Sequence, residues 1–143
     1  MKKLNAFGKI LYCAGVLAAV GTVVYLVNTA TGFMANSAVI NPLAVVLPLV
    51  FVLCAAVLAV KPELLKNGTL TGIATFVMSL MMAFATKIFV VERVDVIGDM
   101  LNPVNHSDAQ VTAVIWSIVG ICLFLVAFLG AVIATLSDKL AKK

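Results

Sequence analysis

The sequence predicts an all-α membrane protein, a bundle of four membrane-spanning helices with both termini on the inner side, and three observations predict it. Apolar residues make up 64% of the 143 and charged residues only 11%, giving a mean hydropathy of +1.20. A soluble domain is nearer one half apolar and about one quarter charged. Four apolar stretches, residues 7–27, 42–60, 70–91 and 111–136, each match the roughly 20 residues that a helix needs to cross the hydrocarbon. Eight of the ten Lys and Arg residues lie before or at the very start of the first stretch, between the second and the third, or after the fourth. With an even number of spans those eight share one face, and the positive-inside rule places that face and both termini in the cytoplasm. The predicted spans are about 7–28, 42–60, 69–101 (including an extension beyond the membrane) and 108–138, in a single integral domain over residues 1–143.

The net charge of +4 follows from this topology, because the Lys residues flank the spans. It therefore implies no nucleic-acid partner. The lipid bilayer is the first partner, and the Lys-rich start suggests the inner (plasma) membrane of a bacterial cell. The segment from Met1 to Lys9 followed by an apolar run is like a signal peptide, but the run exceeds the usual 7–15 residues, so it reads as a retained first span. Bulky Tyr12 before Cys13 argues against a lipoprotein cleavage site.

In the first span, Gly15 and Ala19 stand four apart and make a small-residue face, expected to mate with the last helix. Tyr12 and Tyr25, near its ends, suit the aromatic belts of the interfaces. The uncharged link that follows is expected to lie along the interface. Asn41 and Pro42 form a good helix start, a cap followed by a residue that loses no hydrogen bond at the first helical position. Pro48 removes an internal backbone bond and should bend the second span. The link 61–68 is short enough to make the second and third spans antiparallel neighbours, with Gly68 as the stop and Thr69 as a cap.

The third span carries two stripes at helical spacing. Ile73, Val77, Leu80, Phe84 and Ile88 suit lipid. Thr71, Thr75, Ser79 and Thr86, with Met82, suit protein or water: hydroxyls in a membrane helix can bond to their own carbonyls, or the stripe can line a pore. Beyond Val91 the apolar pattern continues through Val94, Ile97 and Leu101 without a breaker, so the same helix runs on past the membrane. Ser107 and Gln110 form a capping box that starts the last helix near Asp108. Residues 92–115 then make a helical hairpin above the outer face, with 102–106 at its tip, and Trp116 marks the outer headgroups.

The last helix bears a seam at spacing four, three: Ala113, Ser117, Gly120, Phe124, Ala127, Ala131, Ala134 and Asp138. Small residues there let a neighbouring backbone come close, which is how helices associate where no hydrophobic force acts between them. The helix reads as the central packing strut. Cys13, Cys54 and Cys122 lie within spans and read as small core residues.

Candidate chemistry is sparse. Arg93 falls on the face of Thr75 and Thr86, so in a pore it would stand at the mouth and favour anions. Lys87 near the span's end can snorkel or pair with Glu92. Glu92, Asp95, Asp99 and Asp108 make an outer acidic surface. His106 with Asp99 and Asp108 offers metal-ligand types, but a single His without ligand spacing reads as surface polarity. The triplet Asn105-His106-Ser107 matches a glycosylation site and is discounted in a bacterial chain. No catalytic, cofactor-binding or metal residues are assigned, and an enzyme is not expected.

Two functions remain. The first is an oligomeric channel or transport component for an ion or small solute, since two small-residue faces and a polar stripe offer more contact surface than one bundle needs. In span count and sidedness this layout resembles the large-pore channels of the connexin and calcium-homeostasis-modulator type, without their paired extracellular cysteines. The second is a non-catalytic accessory or scaffold subunit of a larger membrane complex, which the lack of a midplane charge favours.

Overall fold

A computed structural model describes residues 6–31, 40–60, 68–101 and 107–141, with backbone alone for 6, 68 and 137–141. Among them are four helices, α1 (Ala6–Ala30), α2 (Pro42–Val60), α3 (Gly68–Asp99) and α4 (Asp108–Ala141). Each holds a segment long and apolar enough to cross a membrane: Phe7–Ala30, Pro42–Val60, Thr69–Asp99 and Asp108–Leu136. The helix starts follow the capping chemistry. Leu43 donates its amide to Asn41 Oδ1 at 3.0 Å, and Gln110 donates its amide to Ser107 Oγ at 3.3 Å. At α3 the expectation is corrected, because Gly68 is already helical and Thr69 lies inside the first turn.

The helices form a four-membered ring. α1 packs on α2 and α4, and α3 packs on the same two, with the α1–α4 contact the most extensive. Ala14 faces Gly130 and Val24 faces Gly120, so α1 and α4 run antiparallel. Gly15 faces Ala55 while Tyr25 reaches Asn41, so α1 and α2 do too. No helix is therefore central, and α4 is one wall of the ring rather than its strut. Its seam nonetheless faces inward: Ala113, Ser117, Phe124, Ala127, Ala131 and Ala134 are buried, as is Gly120. The mate of that seam is the Ala14, Ala18 and Gly21 face of α1, one step round the helix from the expected pair, because Gly15 is turned to Ala55 of α2.

The outer surface is apolar. Val16, Val20 and Val23 on α1, Leu53 and Val57 on α2, Ile73, Val77, Leu80 and Phe84 on α3, and Leu125, Leu129 and Ile133 on α4 are all exposed. An exterior of this kind suits lipid. Two of the three cysteines share that surface: Cys13 and Cys122 are exposed and Cys54 is half-buried, all three free. The core reading of Cys13 and Cys122 is thus corrected, since the buried positions of α1 and α4 go to Ala and Gly, which let the backbones approach closer. Tyr12 is 59% exposed, as an interfacial aromatic would be, whereas Tyr25 is fully buried and belongs to the core. Lys87 is exposed and its Nζ lies 6.0 Å from the Phe84 ring centre.

Beyond Arg93, α3 continues through Asp99, and α4 enters from Asp108. Asp95, Asp99 and Asp108 are exposed, but Glu92 is only half-exposed and turned inward. Glu92 therefore does not belong with the exposed acids of the expected outer surface. The expected tip, 102–106, with Asn105 and His106, lies outside the described residues, as does the side chain of Asp138.

Candidate functional site

The α3 stripe is buried inside the ring and its polar atoms are spent locally. Thr71, Thr75, Ser79 and Thr86 are all buried. Thr75 donates to the Thr71 carbonyl at 2.9 Å, Ser79 to the Thr75 carbonyl at 2.9 Å, and Thr86 to the Met82 carbonyl at 2.7 Å. A hydroxyl that bonds to the carbonyl one turn earlier satisfies itself inside an apolar surround. Of the two alternatives for this stripe, the structure favours packing within the protomer. Two grooves, of about 460 Å³ between α1 and α4 and about 440 Å³ between α2 and α3, are lined without any of these hydroxyls.

The stripe leads to a different kind of site at the end where α1 stops. Arg93 is 1% exposed and is the largest fully buried side chain among the described residues. Its Nη2 donates to Thr29 Oγ1, and Thr29 passes its own hydroxyl hydrogen to the Tyr25 carbonyl at 2.7 Å. The guanidinium carbon lies 5.7 Å from the Tyr25 ring centre and 5.6 Å from that of Phe89. Those two rings meet edge to face at 4.9 Å and 81°, and Phe89 repeats the arrangement with Phe124 at 5.6 Å. Tyr25 also serves the acid next to Arg93: its hydroxyl donates to Glu92 Oε2 at 2.8 Å and accepts the Asn41 amide at 3.0 Å. One turn along α1, Asn28 Nδ2 donates to Ser117 Oγ at 2.8 Å and to the Ala113 carbonyl at 3.2 Å, tying α1 to the start of α4.

The arginine is not fully compensated. Nε and Nη1 are buried with no hydrogen-bond partner. Withdrawing a guanidinium from water is costly unless it is paired and fully hydrogen-bonded. The Thr29 hydroxyl, the Tyr25 and Phe89 ring faces, and the C-terminal carbonyls of α1, which ends one residue after Thr29, offset part of that cost. The nearby charge of Glu92 also favours the cation, but its carboxylate is hydrogen-bonded to Tyr25 and not to the guanidinium.

Sequence reasoning placed Arg93 on the face of Thr75 and Thr86, and the structure keeps it there; Glu92 joins the site, while Asp95, Asp99 and Asp108 stay on the surface. Tyr25, Asn28 and Thr29 were missed. Their signal was present in the spacing of Thr22, Tyr25 and Thr29, a polar edge at three and four residues on one face of α1. Among the described residues no group of three His, Cys, Asp or Glu lies close enough to hold a metal ion. Comparison with protein-family models, with curated proteins and with solved structures gives no match.

Proposed function

We propose that the chain is a non-catalytic transport component of the plasma membrane, an oligomeric channel or carrier subunit for an ion or small solute, with both termini cytoplasmic. The observation that carries the reading is Arg93, a buried cation with two unpaired donor atoms in a chain whose flanks suit lipid. Ionisable groups inside membrane bundles are costly and mark solute and ion pathways. The site lies level with the last turn of α1.

A second reading, an accessory subunit of a larger membrane complex, is favoured by the α3 hydroxyls. They are turned onto their own backbone, which leaves no polar path along the stripe of one protomer. The small-residue seams do not separate the two readings, since both are occupied within the bundle.

Reconstitution into vesicles decides between them. The transport reading expects the purified chain alone to support solute or ion flux, and Arg93→Gln to lower that flux or change its selectivity. Flux at background level, with a detergent-solubilised mass equal to one chain, would remove it in favour of the accessory role. Orientation is tested separately: a cysteine replacing Asn105, in a chain lacking the native three, should react with an impermeant thiol reagent on intact cells, and one replacing Lys66 should not.

A further inference from the structure

We propose that the unpaired edges of Arg93 form a binding site for a single oxyanion, a carboxylate or a phosphate group. The inference rests on the transport reading and names the class of solute.

Nε carries one hydrogen and Nη1 two, and none of them is accepted by protein. Among the described residues, Thr29 Oγ1 accepts from Nη2, and Glu92 uses Oε2 to accept the Tyr25 hydroxyl. The Tyr25 and Phe89 rings attract the charge through their faces but have no lone pair to receive an N–H. Water could satisfy the donors but brings no negative charge to a buried cation whose acidic neighbour, Glu92, is bonded to Tyr25. A small oxyanion answers both needs, since the planar guanidinium matches carboxylate and phosphate geometry and its charge-assisted bonds are the strong ones.

Tyr25 is the positioning residue of this site. By donating to Glu92 at 2.8 Å it holds one oxygen of the neighbouring carboxylate, which accepts from neither Nε nor Nη1; both atoms are buried, so an incoming anion must displace the residues packed on them. The negative charge of Glu92 nonetheless opposes that anion. Removing the charge should tighten binding, which a purely structural arginine would not show.

The test is the thermal midpoint of the purified protein in neutral detergent, titrated with sodium acetate and with sodium phosphate against sodium chloride at equal ionic strength. A ligand that binds the folded state raises the midpoint in a saturable way. The expected result is a saturable rise with acetate or phosphate, its loss in Arg93→Gln, a weaker rise in Arg93→Lys, and a several-fold lower half-saturating concentration in Glu92→Gln. Parallel titration with phosphatidylglycerol against phosphatidylcholine vesicles tells a lipid phosphate from a free one; a rise confined to phosphatidylglycerol assigns the site to a headgroup. Equal rises in the parent and Arg93→Gln would mean a general salt effect and overturn the site. No rise with any probe would mean that water alone fills it. Should Arg93→Gln fail to fold, unchanged affinity in Glu92→Gln overturns the proposal by itself. Binding without flux would retire the transport reading and leave the site standing. Flux that depends on Arg93 but shows no oxyanion-dependent shift would retire the site and leave the reading.

Discussion

Gly120 of α4 stands against the ring of Phe89 on α3 so closely that a Cβ added to the glycine would lie 2.5 Å from Cε1. The glycine makes room for the ring, and the ring in turn sits between Tyr25 and Phe124 at 4.9 and 5.6 Å. A small residue at one position of α4 thus sets the aromatic stack on which the Arg93 charge rests.

Replacing Gly120 with Leu should therefore disrupt the protomer itself, by the ~1–3 kcal/mol typical of overpacking or more. Ala127→Leu on the same buried seam should behave alike, and Val119→Leu, on the exposed side, should be nearly neutral. Thermal unfolding and detergent-solubilised mass check this together. Loss of oligomer from an otherwise stable chain would place the seam between copies instead.

Tyr25→Phe removes one hydroxyl that donates to Glu92 and accepts from the Asn41 amide. It leaves a half-buried carboxylate and a backbone amide short of partners, a loss of about 1–3 kcal/mol. The thermal midpoint should fall, and Tyr25→Phe combined with Glu92→Ala should fall less than the sum of the two single changes, since each removes the same bond.

The α3 hydroxyls should be dispensable. In Thr75→Val the side-chain shape is kept and only an oxygen already bonded to its own helix is lost, so stability should change by no more than about 0.5 kcal/mol. Flux through reconstituted vesicles should stay at the level of the parent. A marked change in conductance or selectivity would show that Thr75 meets the solute.

What the sequence made legible was whatever depends on periodicity and capping. The four spans, the starts at Asn41 and Ser107, the inward seam of α4 and the split of α3 into a lipid stripe and a polar stripe all follow from local chemistry. What it hid depends on helix azimuth and on which neighbour each face meets. Gly15 looked like the partner of α4 but is turned about 100° from Ala14, toward Ala55 of α2. Cys13 and Cys122 looked like core because they sit in spans, yet small Ala and Gly residues occupy the inner positions. Tyr25 lies where an interfacial belt residue would, and only the approach of Phe89 and Glu92 from α3 and of Asn41 from the start of α2 makes it a core residue.

On the oxyanion reading, Arg93 is retained for what it binds and not for the stability of the ring. The direct measurement is the thermal midpoint of Arg93→Met, which keeps an unbranched apolar stem and removes the buried charge with its unpaired donors. Replacing a poorly compensated buried ion with a hydrophobic residue of similar shape is often neutral or stabilising, so the midpoint should stay level or rise. A fall of roughly 12 °C or more, equal to about 3 kcal/mol at the 4 °C or so per kcal/mol of a chain this size, would contradict the claim and make Arg93 a structural pillar of the α1–α3 contact.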